Sequence, residues 1–145
     1  MHELSVAQSI LDAVLSEGEK SNAKKIKEIN VEVGELMQID VEALKTMLML
    51  LLKGPKLAHA QLKLKIRKAS FACRKCSEKW GMSEAKKQLS RTPDELLVRE
   101  PDSKELPLHF LPYLYPAFIR CPKCGSSDTV VTQGEGIRLR GLIMQ

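Results

Sequence analysis

The last ten residues, GIRLRGLIMQ (136–145), decide how the whole chain is read. Ile137 and Leu139 alternate with Arg138 and Arg140, the period of a half-buried strand. A strand here needs a sheet to join, and two candidates lie far upstream. KIKEINVEVGEL (25–36) sets Ile29, Val31 and Val33 against Asn30 and Glu32, and QLKLKIRK (61–68) sets Leu62, Leu64 and Ile66 against Lys63, Lys65 and Arg67. If the tail returns to these strands, the region between them is an insertion within one α+β domain. The expected division is residues 1–70 plus 134–145 as that domain and 71–133 as the inserted module.

Two helices complete the outer domain. LSVAQSILDAVLSEGE (4–19) places Val6, Ile10, Leu11, Val14 and Leu15 on one helical face, and Gly18 is expected to stop it. DVEALKTMLMLLLKG (40–54) starts at a capping Asp40 and ends at Gly54, with Pro55 directly behind. The fold class is therefore α+β: two helices on a small sheet of about three strands, with an inserted four-cysteine zinc-ribbon-like domain.

The inserted stretch has its own composition. Residues 73–124 hold six of the seven prolines, all four cysteines, the single Trp and both Tyr. Within it, SRTPDELLVREPDSKELP (90–107) is polar and broken by proline, which predicts an extended loop. The cysteines form CRKC (Cys73, Cys76) and CPKC (Cys121, Cys124), separated by 44 residues. Two residues between cysteines let one tight turn aim both thiolates at a single ion, and two such turns complete a tetrahedral four-thiolate site, a common structural zinc geometry. Gly125 fits the second turn. A four-thiolate site leaves no open position, so a metal-activated water, as a zinc hydrolase or deaminase needs, is not expected. Trp80 and Phe71 read as the small core of this module.

The opening MHE is a second ligand set. The Met1 amine, the backbone nitrogen of His2 and its imidazole can close adjacent chelate rings around Ni(II) or Cu(II), which accept planar nitrogen donors. A fourth position is open to the next backbone nitrogen, Glu3, another histidine or solvent. His59 reads as a surface histidine; His109 precedes CPKC and is a further candidate ligand.

Composition narrows the alternatives. The net charge of +5 is spread along the chain rather than gathered in an arm, and aromatics make up 4%. Both weigh against the main competing reading, a zinc-ribbon nucleic-acid-binding or transcription-associated module in which Lys63, Lys65, Arg67, Arg74 and Lys75 would contact phosphates. Glu3, Asp12, Glu17 and Glu19 interrupt any apolar run at the start, and Met47–Leu52 is far too short to span a bilayer, so a cytoplasmic protein without a membrane span is expected.

MHELSVAQSIL, VEVGEL, CRKC and CPKCGS, in this order, resemble the HypA/HybF family of hydrogenase maturation nickel metallochaperones over nearly the whole chain. The resemblance implies a non-enzymatic nickel carrier with His2 as the essential nickel ligand. It implies that Met1 and Glu3 assist, and that Cys73, Cys76, Cys121 and Cys124 hold a structural zinc. Archaeal-type members are similar in placing a histidine before the second CxxC, which marks His109 as an added nickel ligand. A HypB-like nickel-handling GTPase and the [NiFe] hydrogenase large subunit are the implied partners, and a homodimer is compatible with the pattern. Lys87–Leu108 is longer than in compact bacterial members, and neither cysteine pair has the adjacent histidine of many of them.

Overall fold

The computed structural model describes residues 2–100, 103–105, 115 and 117–145. In chain order the elements are α1 (His2–Lys20), β1 (Ile26–Gly34), a 3-10 turn (Glu35–Met37), α2 (Val41–Leu51), β2 (Gln61–Arg67), β3 (Ser70–Cys73), β4 (Lys79–Gly81), α3 (Met82–Leu89), a second 3-10 turn (Asp94–Leu96), β5 (Val98–Glu100), β6 (Ser103–Glu105), β7 (Thr129–Gln133) and β8 (Ile137–Met144). They form two compact units. One comprises Met1–Val33, Ile39–Ile66 and Ile137–Gln145; the other comprises Gly34–Gln38 and Arg67–Gly136.

In the first unit the tail does return: β8 pairs antiparallel with β1, Val33 facing Ile137 and Val31 facing Leu139, in a sheet ordered β2-β1-β8. The central position of β1 explains its burial, with Ile26, Ile29, Val31 and Val33 all but inaccessible. Ile26 and Ile29 lie three apart, out of phase for a regular strand. A bulge resolves this: Ile26 faces Met144 and Glu28 faces Ile143, so Lys27 is an extra residue. Helices α1 and α2 pack together over this sheet through Ala7, Ile10, Val14, Leu44 and Leu48. None of the helices among the described residues is long and apolar enough to cross a membrane.

The expected helix stop at Gly18 is corrected. α1 continues to Lys20, and Asn22 takes the left-handed conformation that ends it (φ 50°), with the Ala23 N–H reaching back to the Gly18 carbonyl at 2.9 Å. Gly18 is buried because Ile26 lies against it; an added Cβ would meet Ile26 Cδ1 at 3.3 Å. Asp40 does cap α2, its carboxylate accepting from the Ala43 N–H at 3.1 Å.

The second unit holds a sheet ordered β4-β3-β7 with α3 alongside β4. Phe71 stacks on Trp80 at 6.0 Å and meets Tyr115 edge-on at 6.2 Å, in a core with Met82, Ala85, Leu89 and Ile119. The loop expected over 90–107 is also corrected. It contains a 3-10 turn and an antiparallel hairpin in which Val98 faces Glu105 and Glu100 faces Ser103. Backbone pairing needs no apolar alternation, so this polar hairpin carries no periodic signal.

Residues Gly34–Gln38 belong to the second unit for a steric reason. The Gly34 N–H donates to the Gly136 carbonyl at 2.8 Å, Leu36 N–H donates to the Gly134 carbonyl at 3.0 Å, and Leu36 is buried in the Phe71–Trp80 core. Glu35 Oε2 accepts from the Ala69 N–H at 2.8 Å. A Cβ on Gly34 would sit 2.2 Å from the Gly134 carbonyl oxygen, backbone that cannot step aside. Gly34→Ala is therefore expected to cost about 3 kcal/mol or more, an overpacking penalty at the top of the usual range. Gly141→Ala, where a Cβ meets nothing within 4 Å, should stay within about 0.5 kcal/mol. Urea unfolding of the two variants beside the parent chain checks both.

Candidate metal centre

Two turns of opposite origin bring the cysteines together. The first follows β3: Cys73 N–H donates to the Glu78 carbonyl at 2.8 Å and Ser77 N–H to the Cys73 carbonyl at 3.0 Å. The second repeats the pattern without a strand in front of it: Cys121 N–H donates to the Ser126 carbonyl and Gly125 N–H to the Cys121 carbonyl, both at 2.9 Å. In each, the residue after the second cysteine takes positive φ, 66° at Ser77 and 73° at Gly125. Glycine adopts this at no steric cost, whereas a residue with a Cβ pays about 1 kcal/mol or more. The glycine was legible in the sequence; its serine counterpart was not.

All four Sγ atoms lie within 4.8 Å of one another, with Cys73–Cys124 and Cys76–Cys121 each at 3.5 Å. Tetrahedral zinc with Zn–S of about 2.3 Å sets its sulfurs about 3.8 Å apart, so the donor set fits such an ion. All four are free thiols rather than disulfides. Burial opposes charge on Cys121, but the N–H groups of Cys124 and Lys123, each 3.4 Å from its sulfur, prevail and bring it down to about 7. The Glu78 backbone favours the Cys76 thiolate, yet burial and the three neighbouring thiols push it up to about 12. Without a cation the Cys121 thiolate is thus favoured over that of Cys76, and a divalent ion between them would answer the charge of both.

A residue that spacing could not reveal holds the second turn. The Gln88 side chain on α3 donates Nε2–H to the Arg120 carbonyl at 2.7 Å, while its Oε1 accepts from the Arg120 N–H at 2.6 Å. This two-point clamp fixes the backbone one residue before Cys121.

At the other ligand set, His2 begins α1. Glu3 is half-buried and its Oε1 accepts from the Asp40 N–H at 3.2 Å. Hydrogen bonding from its own backbone N–H first, and from Asp40 as well, holds its carboxyl below the usual range. Asp40, which the sequence marked only as a helix cap, thus also ties the start of α1 to the start of α2. His59 follows α2 as an exposed residue. Met1 and His109 lie outside the described residues.

The family model for hydrogenase/urease nickel incorporation metallochaperone HypA matches residues 1–144. The chain belongs to the HypA family. Hydrogenase maturation factor HypA from Pyrococcus horikoshii is 32% identical over 142 residues, covering 98% of this chain and 94% of that one; the Pyrococcus abyssi protein of the same name is 34% identical with the same coverage. The solution structure of the Ni metallochaperone HypA from Helicobacter pylori shares the fold at a TM-score of 0.57, with 21% identity, 98% of this chain and 96% of that one covered. The fold expected from sequence is thus the HypA fold, and its four-cysteine cluster could hold a metal ion.

Ser77→Gly should stabilise the metal-loaded protein by about 0.5–1 kcal/mol, and Gly125→Ala should destabilise it by about 1 kcal/mol. Gln88→Ala should cost about 1–2 kcal/mol and hasten metal loss to a chelator. Thermal unfolding and chelator competition on the three variants read these changes.

Proposed function

We propose that this chain carries Ni(II) at its amino terminus, in the cytoplasm, and delivers it to maturing [NiFe] hydrogenase, while the four cysteines hold a structural zinc. The observation that carries this reading is the difference in chemistry between two donor sets. Four thiols converge within 4.8 Å inside a folded module, whereas MHE sits at a chain end, anchored through Glu3 to Asp40. A structural ion suits the first, because its release would undo the module that Cys73 and Cys121 help to build. A cargo ion suits the second, because a short peptide chelate can be stripped ligand by ligand.

His2 supplies the imidazole and its backbone nitrogen, and Met1 supplies the amine. With one Glu3 oxygen engaged by Asp40, Glu3 contributes most readily through its backbone nitrogen. His109 is the candidate for a further ligand. Nitrogen donors of this kind favour Ni(II) over Zn(II), and thiolates the reverse, so the two ions sort by donor chemistry. The first unit is then the nickel-handling domain and the second the zinc-binding domain. A HypB-like GTPase and the hydrogenase large subunit are the proposed donor-side and recipient partners. Membership of the HypA family favours this over the zinc-ribbon nucleic-acid reading.

Nickel titration of tag-free protein should show one site that disappears in His2→Ala and also on adding two residues before Met1. Retention of that site in either variant would overturn the assignment. Cys73→Ser should lose zinc and the ordered state of the second unit, read by metal analysis and by the Trp80 fluorescence. Zinc retained at full stoichiometry would refute the thiolate set.

A further inference from the structure

We infer that the groove between α2 and the free edge of β2 docks an extended acidic segment of another protein, added to β2 as an extra strand. Among the described residues β2 has one strand neighbour, β1, so its other edge presents unpaired backbone N–H and C=O groups. Beside that edge lies a groove of about 320 Å³ lined by Lys45 and Met49 of α2 and by Ala60, Gln61, Leu62 and Lys63. A helix flanking an open strand edge is the geometry of strand-addition peptide sites, where the backbone supplies affinity and alternate side chains supply selectivity.

The apolar surface here exceeds what the core uses. α2 buries Leu44 and Leu48, yet Met49 and Leu50 remain 60% and 64% exposed, and Ile66 on β2 is 52% exposed. An added strand would alternate its side chains between the helix side, against Met49 and Leu62, and the outer face, beside Lys63 and Lys65.

Charge selects the occupant. Lys63 is already paired with Glu28, but Lys45 and Lys65 have no carboxylate partner among the described residues. Lysines along an edge repel a second copy of the same strand. They admit a segment whose carboxylates alternate with apolar residues. The seven residues of β2 span about 23 Å, enough for a segment of about six residues. The opposite edge is less suited: Arg140 is an extra residue between the pairs Asn30–Gly141 and Val31–Leu139, which bends β8.

The test uses the full metal-loaded chain and a capped hexapeptide alternating leucine and glutamate. Alternate amides of β2 should gain about tenfold or more protection from hydrogen exchange, with resonance shifts at Lys45 and Met49. Lys45→Glu and Lys65→Glu should each weaken binding about threefold to tenfold, and binding should fall with salt. Both positions are exposed, and Lys45→Gln provides a milder variant of unchanged fold. Protection at β8 instead of β2, equal binding of a leucine–lysine hexapeptide, absence of any protection, or self-association through β2 would each overturn the proposal. None of these readouts depends on whether nickel binds at His2.

Discussion

The pairing of Ile137–Met144 with Ile26–Gly34 is the constraint on which the remainder depends. β1 can be buried on a helix-covered sheet only if both its neighbours are present, and one of them is separated from it by more than a hundred residues of chain. Because the pair is antiparallel, the end of β1 meets the start of β8: Val33 and Ile137 are partners, and the residues beyond them, Gly34 and Gly136, remain joined through their backbones. The start of the Gly34–Gln38 turn and the point where the chain returns from the cysteine module are thereby held at hydrogen-bond distance. Gly34 and Gly134 are required there because the backbones approach closer than any Cβ allows.

Much of this was legible. Period-two alternation identified β1, β2 and β8, helical spacing identified α1 and α2, and CxxC spacing identified the metal cluster. What escaped was whatever leaves no period. Gly18 read as a helix stop because glycine so often is one, whereas here it gives room to Ile26 and Asn22 ends the helix. The hairpin of Val98–Glu100 with Ser103–Glu105 escaped because all its strand residues but Val98 are polar. The VGEL stretch was recognised as a resemblance, but its physical meaning lies in long-range contacts: Glu35 with Ala69, and Leu36 with Phe71 and Trp80. Gln88 was invisible for the same reason, since its two hydrogen bonds span 32 residues.

The two donor sets obey opposite physical demands. The cysteine cluster is pre-formed by backbone bonds in two turns, by a side-chain clamp and by an aromatic core. Its ligands are close enough that the thiolates need a cation among them. Near the amino terminus the Glu3 carboxylate accepts from the Asp40 N–H, which ties the start of α1 to the start of α2. On the reading proposed above, the first set would keep its ion and the second would surrender one.

The unequal turns around the cysteines also order events in time. Cys73 and Cys76 leave the ribosome first, in a turn that must hold Ser77 at a φ of 66° against its own Cβ. Cys121, whose sulfur is already met by two N–H groups, emerges 45 residues after Cys76 in a turn that Gly125 closes without strain. The half of the cluster made first is thus the one whose turn carries backbone strain, and the half made last closes without it.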